Sequence, residues 1–282
     1  MLDLNEFAHS KDSLEIIKQG HQSLVRKTFR GDILRAQQNV EKQHAFRPLF
    51  TGVARISAAD LLEFKVYSDR AELLMPYVEG MTGNRFPVLA TRSAAQNLSM
   101  SLSTLLYFEL NKSRDERVPM SLFIDKLASI SVATCDTELK YQVDNCLQVV
   151  DKLPTELSFP IGPCHGDLTL GNLILDASLG LTLIDFLYTY LETPLQDVAK
   201  LKQDLVYGWS FRKDSSAMRI KAEIFCRFNY PQAMVQIERM YPVQIQLLTL
   251  MSLARIAPYV KDKITKQWVT NSLTKCIEDF SK

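Results

Sequence analysis

The chain has 282 residues, 46% of them hydrophobic and 23% charged, which is enough for one large domain or two modest ones with an apolar core. A net charge of +1 gives no reason to expect nucleic acid as a partner. Five scattered cysteines without CxxC spacing argue against a disulfide framework or a zinc site, and the chain begins without a signal-peptide pattern. We therefore expect a cytoplasmic protein without membrane insertion.

Residues 1–79 are predicted to form a small β-rich lobe with one helix. The runs SLEIIKQ and SLVRKTF read as a hairpin turning at Gly20. DILRAQQNVEKQHAF has helical spacing of its apolar residues, with Asp32 as its N-cap. LLEFKVYSDRAELLMPYV reads as two further strands around a turn at Asp69.

Residues 80–282 are predicted to form a larger, mainly helical lobe. The expected helices cover 91–112 and 120–132 (with Pro119 at the start), 137–152, 195–208, 215–229, 231–240, 242–258 and 262–281. The predicted fold class is thus α+β and bilobal, and clefts between such lobes are common ligand sites.

A hairpin with polar residues interrupts these helices in CHGDLTLGNLILDASLGLTLIDF, residues 164–186. Its strands LILD and LTLID flank a four-residue loop, ASLG, which is a common hairpin length. If Asp176 pairs with Leu181, then Asn172 faces Asp185 with Cα atoms roughly 4.5–5.5 Å apart. An amide oxygen and a carboxylate suit Mg²⁺, so the pattern predicts a magnesium site.

Two further polar residues precede this hairpin. Asp167 lies five residues before Asn172, where its carboxylate could accept the proton of an attacking hydroxyl. His165 is a second catalytic candidate as a base, although fixing the loop by hydrogen bonds is the interpretation we favour for it.

The combined pattern HGDL…N…IDF resembles the catalytic and metal-binding motifs of aminoglycoside phosphotransferases and choline kinases, which have a protein-kinase-like fold. Gly166 and Leu187 stand where protein kinases typically carry Arg and Gly, so the resemblance is to the small-molecule enzymes. It implies an ATP-dependent, Mg²⁺-assisted kinase in which Asp167 is the base and Asn172 and Asp185 hold the metal.

The resemblance also implies a nucleotide site in the first lobe. Lys27 matches the lysine that contacts the α- and β-phosphates, and Glu41 on the next helix matches the carboxylate that holds it. Asp197 matches an aspartate that supports the catalytic loop from a helix start. The sequence leaves GTP open as an alternative to ATP. The candidate phosphate-covering turn, HSKDS at 9–13, contains no glycine.

The run LLMPYVEG at 73–80 resembles the hinge between the lobes, where backbone groups bind adenine. Pro76 can offer only its carbonyl, so Tyr77 or Val78 must donate, and Met75 would stand at the back of the pocket.

The acceptor pocket is expected beside Asp167. Its candidate lining residues, chosen as aromatic faces and a carboxylate that suit a sugar or an amine, are Tyr188, Tyr190, Glu192, Tyr207 and Trp209.

The favoured function is transfer of the γ-phosphoryl group to a hydroxyl of a small molecule, such as a sugar, an amino alcohol or an aminoglycoside-like compound. One alternative is a pseudokinase that binds nucleotide for regulation. A protein kinase is a weaker alternative, because Asp185 is followed almost at once by Pro194 and a helix, which leaves little room for an activation segment. The acceptor and the oligomeric state stay open.

Overall fold

The computed structural model describes residues 13–52, 54–135 and 137–280. The strands are β1 Ser13–Gln19, β2 Gln22–Phe29, β3 Leu49–Phe50, β4 Arg55–Ala58, β5 Glu63–Val66, β6 Ala71–Pro76, β7 Met81–Thr82, β8 Arg114–Pro119, β9 Glu156–Ile161, β10 Leu173–Leu175 and β11 Leu181–Leu183. The helices are α1 Ile33–Ala45, α2 Phe86–Leu89, α3 Arg92–Asn111, α4 Ser121–Ala133, α5 Lys140–Val150, α6 Pro194–Leu205, α7 Ser216–Phe228, α8 Gln232–Met240, α9 Pro242–Ala254 and α10 Lys263–Asp279.

The fold is α+β, with a β-rich N-terminal region and a helical C-terminal region. In the described ranges, no helix combines the length and the apolar character needed to cross a membrane.

The first sheet carries the nucleotide-binding candidates. Its order is β1-β2-β6-β5, and all its strands are antiparallel. Gly20 turns the first hairpin at φ 62°, and the Asp32 side chain caps α1 by accepting from the Arg35 N–H. The apolar face of α1, including Ala36 and Val40, packs on this sheet in a small separate core. The predicted strands and helix of this region are therefore present.

The second sheet joins the two regions, in the order β3-β4-β11-β10-β7. Its strand β4 runs parallel to β11, which belongs to the hairpin at 173–183. This pairing fixes the hairpin against the N-terminal part of the chain.

The predicted register of that hairpin is wrong by one residue. Leu175 pairs with Leu181, so Asn172 lies opposite Ile184, whose N–H donates to the Asn172 carbonyl at 3.1 Å. The cause is the turn. Asp176 accepts from the Ser178 hydroxyl and from backbone N–H groups, and with Leu179 at φ 67° the loop closes over three residues rather than four.

The helices of the C-terminal region surround one large core, and α9 is buried along most of its length. Strands β8 and β9 form a two-stranded sheet that the sequence analysis missed. The run RDERVP of β8 is exposed at five of its six positions, so it lacks the apolar alternation that signals a strand. Pro119 ends β8, and the following helix begins at Ser121.

Most of the candidate phosphate turn HSKDS lies in residues 1–12, outside the described residues.

Candidate active site

The loop between β9 and β10 is held by hydrogen bonds to the first turn of α6. The Asp197 carboxylate accepts the N–H of His165 and, at 2.7 Å, the N–H of Gly166. Asp197 is fully buried in the first turn of α6, where the helix dipole favours a negative charge. Gly166 has φ 89°, and a Cβ there would collide with the Leu187 carbonyl, so the position requires glycine.

His165 has no free ring nitrogen. Its Nδ1 lies 3.2 Å from the Asp167 N–H and its Nε2 lies 2.9 Å from the Ile184 carbonyl. These partners require the proton on Nε2. Burial lowers the pKa of His165, and its ring packs on Phe186 at 4.3 Å between centroids. This geometry is that of a neutral residue that fixes the loop; a base would need a free nitrogen.

Asp167 lies between two cations. Its Oδ1 is 2.9 Å from Lys200 Nζ and 3.5 Å from the Arg255 guanidinium. Burial alone would raise the pKa of the Asp167 carboxyl, but the charges of Lys200 and Arg255 and the hydrogen bond from Lys200 hold it well below its usual range. The carboxylate is therefore ionised at every physiological pH.

Asn172 is oriented by Asp167. Its Nδ2 donates to the Asp167 carbonyl at 2.7 Å and to Oδ2 at 3.1 Å. With both amide hydrogens engaged on Asp167, the amide oxygen faces the other way as an available ligand.

The structure brings Lys27 to Asp185. The Lys27 ammonium forms an ion pair with the Asp185 carboxylate, and Asp185 adopts the left-handed backbone region at φ 65°. The predicted pairing of Lys27 with Glu41 is not formed. Glu41 lies on the exposed face of α1 and accepts from Gln37 at 2.9 Å, because the inward face is taken by Ala36 and Val40.

The predicted hinge has one donor fewer than expected. The Tyr77 N–H donates to the Ser23 carbonyl at 2.9 Å, as an extension of the β2–β6 ladder. Tyr77 is therefore not the free donor, and Val78 is the N–H candidate that stays. Met75 is 8% exposed and lies 3.5 Å from the Gln43 amide, inside the small core.

The segment after Asp185, which was expected to line the acceptor pocket, has exposed aromatic rings, but its carboxylate is already bound. Tyr188 and Tyr190 are 43% and 39% exposed, and Tyr190 meets Phe123 edge-on. Glu192 is not available as a substrate ligand, because it is bound to Lys42 at 2.6 Å and accepts from the N–H and hydroxyl of the nearby Thr189.

Tyr207 and Trp209 lie after the C-terminal end of α6, whereas Asp197 is in its first turn. Trp209 packs between the Arg212 guanidinium, 3.5 Å from its ring centroid, and Trp268. A groove of about 550 Å³ opens beside them between α6, α7 and α10. Tyr207 lines that groove and Trp209 packs beside it, so the structure places both rings at the far end of α6 from Asp197 and the loop it holds.

Four charged residues around the loop were not predicted from the sequence: Lys42, Glu109, Lys200 and Arg255. Lys200 follows Asp197 by three residues, and i,i+3 spacing on a helix places both on one face. That spacing was the available signal for Lys200. Nothing in the sequence pointed to Arg255, which is distant along the chain.

The residues present fit a magnesium ion. The Asn172 amide oxygen and the Asp185 carboxylate are hard oxygen donors at neighbouring positions of the hairpin, and Mg²⁺ usually takes one or two carboxylates together with substrate phosphates and water. Within the part of the chain that is described, no three His, Cys, Asp or Glu side chains group as a metal site. The donor set is thus unlike that of zinc.

Fold and site together define a phosphotransferase of the protein-kinase-like fold. The sequence model of the phosphotransferase enzyme family APH matches residues 12–234. The chain therefore belongs to this family and is a phosphotransferase.

Solved structures share the fold at low sequence identity. A thermostable mutant of aminoglycoside phosphotransferase APH(4)-Ia, in a ternary complex with ADP and hygromycin B, is 12% identical, with 94% of this chain and 93% of that one covered and a TM-score of 0.56. Choline kinase LicA from Streptococcus pneumoniae is 14% identical, covering 95% and 89% with a TM-score of 0.52. A glucosamine kinase is 12% identical, covering 94% and 79% with a TM-score of 0.50. Among curated proteins, none matches the chain significantly.

Proposed function

We propose that this chain transfers the γ-phosphoryl group of ATP to a hydroxyl group of a small molecule. The observation that supports this most strongly is the meeting of two contacts at one end of the hairpin: Lys27 with Asp185, and Asn172 with Asp167. Phosphoryl transfer needs a cation that binds the phosphates, oxygen donors that hold a metal, and a carboxylate that accepts a hydrogen bond from the acceptor hydroxyl.

Lys27 would bind the phosphates, and the end of β6 would bind the base. The Lys27 side chain is only 13% exposed, so its ammonium is directed by packing as well as by charge. The Pro76 carbonyl and the Val78 N–H would meet the adenine edge, since the Tyr77 N–H is already bound to Ser23.

Asn172 and Asp185 would hold Mg²⁺. When bound, the ion neutralises charge on the phosphate oxygens during transfer. In this structure the Lys27 ammonium occupies the Asp185 carboxylate, so metal and phosphate binding would redistribute that ion pair.

Asp167 would accept a hydrogen bond from the acceptor hydroxyl and orient it. With a pKa held far below neutrality by Lys200 and Arg255, the carboxylate is a weak base. Phosphoryl transfer through a loose transition state needs positioning of the nucleophile more than early proton removal, so a weak base suffices.

The charges beside Asp167 favour an acceptor without a positive charge near its hydroxyl. The Arg255 side chain is 39% exposed and lies 3.5 Å from the carboxylate. Lys200 already supplies one cation to Asp167, so the acceptor side carries a surplus positive charge. We therefore place neutral sugars and hydroxy acids before aminoglycosides and choline-like amines.

ADP release in the presence of ATP or GTP tests this function. Neutral sugars, sugar acids, amino alcohols and aminoglycosides are compared with and without Mg²⁺. We expect Mg²⁺-dependent release with one acceptor class, reduced about 10²- to 10⁴-fold by Asp167→Asn. Release that needs no acceptor hydroxyl, or that survives Asp167→Asn in full, would contradict the proposal.

A further inference from the structure

Helix α6 presents three charged side chains on one buried face. Asp197, Lys200 and Asp204 follow the spacing i, i+3, i+7 and are 0%, 2% and 1% exposed. Side chains at this spacing lie along the same side of a helix. Charged residues are almost never this buried unless they have partners, so each of the three must have a specific partner inside the protein.

Each member of the row holds a different part of the catalytic loop. Asp197 accepts the N–H groups at the start of the loop, and Asp204 accepts the Leu170 N–H at 2.6 Å near its end. Lys200, between them, contacts the Asp167 side chain at 2.9 Å. Two members thus fix the backbone, and the third fixes the functional carboxylate itself.

Lys200 and Arg255 contact the same oxygen of Asp167 but are not equivalent. The Lys200 side chain is 3% exposed and close, whereas Arg255 is 39% exposed and its contact is long at 3.5 Å. An ion pair screened from water is stronger than one at the surface, so Lys200 is the main electrostatic partner of Asp167.

We propose that Lys200 is a positioning residue for phosphoryl transfer. By binding Oδ1 it fixes the orientation of the Asp167 carboxylate. Oδ2 accepts from Asn172 and retains a lone pair for the acceptor hydroxyl. The proposal rests on the proposed function only in naming the hydroxyl; the contact itself can be measured without any acceptor.

The kinetic test compares Lys200→Met with Lys202→Met. Lys202 lies on the same helix and pairs with Glu238 at 3.1 Å, outside the loop, so its variant controls for loss of a lysine from α6. We expect kcat to fall about 10- to 100-fold in Lys200→Met, as is typical when a group that orients a functional ligand is lost. The KM for ATP should change little. Lys200→Arg, which keeps a cationic donor toward Oδ1, should recover part of the lost kcat.

A purely structural role for Lys200 would lower the amount of folded enzyme without changing kcat per folded molecule. An unchanged kcat, or a loss carried by KM for ATP alone, overturns the proposal. If Lys200→Met does not fold, Lys200→Gln, which keeps a donor without the charge, takes its place with the same expectations.

A second measurement separates this proposal from the proposed function. The side-chain amide signals of Asn172 report the orientation of the Asp167 carboxylate, because Nδ2 donates to Oδ2 at 3.1 Å. They are assigned by their loss in Asn172→Ala and compared at one pH in the wild type, Lys200→Met and Lys202→Met. A shift in Lys200→Met alone supports the contact, even if no hydroxyl compound yields ADP; in that case the proposed function alone fails. Unchanged signals in Lys200→Met overturn the role of Lys200, whatever the activity.

Discussion

The pair of Asp167 and Lys200 makes a prediction about stability that does not depend on catalysis. Asp167→Asn leaves the Lys200 side chain, which is 3% exposed, without the carboxylate that accepts from its ammonium at 2.9 Å. Removing one partner of a buried ion pair costs about 3–5 kcal/mol. Lys200→Met is milder, at about 1–3 kcal/mol, because Asp167 keeps Arg255 and Asn172 as partners.

The double variant should be much more stable than the sum of the two losses suggests. Replacing both charges removes the desolvation cost together with the attraction, and such replacements are often close to neutral. We therefore expect a coupling free energy of about 3 kcal/mol from the double-mutant cycle, at the upper end for residues in contact.

Burial and the Arg255 charge lower the pKa of Lys200, and Asp167 opposes this shift. Without Asp167 the pKa falls further. Between that lowered folded-state value and the unfolded-state value of 10.5, the unfolded chain binds more protons than the folded one. The stability of Asp167→Asn should therefore rise with pH in this window. Below the window the buried ammonium is charged, and the variant shows its full loss of stability.

Urea unfolding followed by circular dichroism, at pH 7 and at pH 9.5, measures all four proteins of the cycle. Lys202→Met serves as the control on the same helix, with an expected loss of about 1 kcal/mol, because its ion pair with Glu238 is partly exposed. Losses that add within about 0.5 kcal/mol would refute the reasoning, since they would mean that the two side chains do not interact in solution.

Three further predictions concern the surroundings of the loop. Burial and the neighbouring Asp197 raise the pKa of Glu109 well above 4.5. Between pH 4.5 and that folded-state pKa, each pH unit lowers the stability of the wild type by about 1.4 kcal/mol, because the folded chain binds more protons than the unfolded one. Glu109→Gln should lose this dependence, so its stability relative to the wild type should rise with pH, as read from urea midpoints. Gly166→Ala should lower stability by at least about 1–3 kcal/mol and abolish ADP release, since φ 89° and the Leu187 carbonyl exclude a side chain; thermal unfolding close to that of the wild type would contradict this. Glu41→Gln should leave ATP affinity within about twofold by calorimetry, because an exposed side chain contributes little; a tenfold loss would restore Glu41 as the partner of Lys27.

Much of the fold could be predicted because its signals are local. The hairpin at Gly20, the cap at Asp32 and the helices of the second region follow from spacing and turn residues. The motif HGDL…N…IDF likewise identified the loop, because its residues lie within about twenty positions of one another.

The remainder depended on tertiary structure. The hairpin register turned on Asp176, whose side chain caps the loop and shortens it by one residue. The partner of Lys27 depended on which face of α1 is buried, and that face excluded Glu41. From the sequence alone Glu192 is a reasonable substrate ligand, but the fold brings Lys42 of α1 to it and the ion pair occupies its carboxylate. Arg255 reaches Asp167 only through the packing of α9 on α6, which no local pattern records.

The central claim is that Asp167 directs a hydroxyl onto the γ-phosphate of ATP. Phosphorus NMR of the reaction mixture tests it most directly, with the wild type and Asp167→Asn compared in Mg²⁺ and each accepted hydroxyl compound. We predict a phosphomonoester signal that grows as ATP is consumed with the wild type and that is lost with the variant. Inorganic phosphate as the only product, or equal phosphomonoester from both proteins, would contradict the claim.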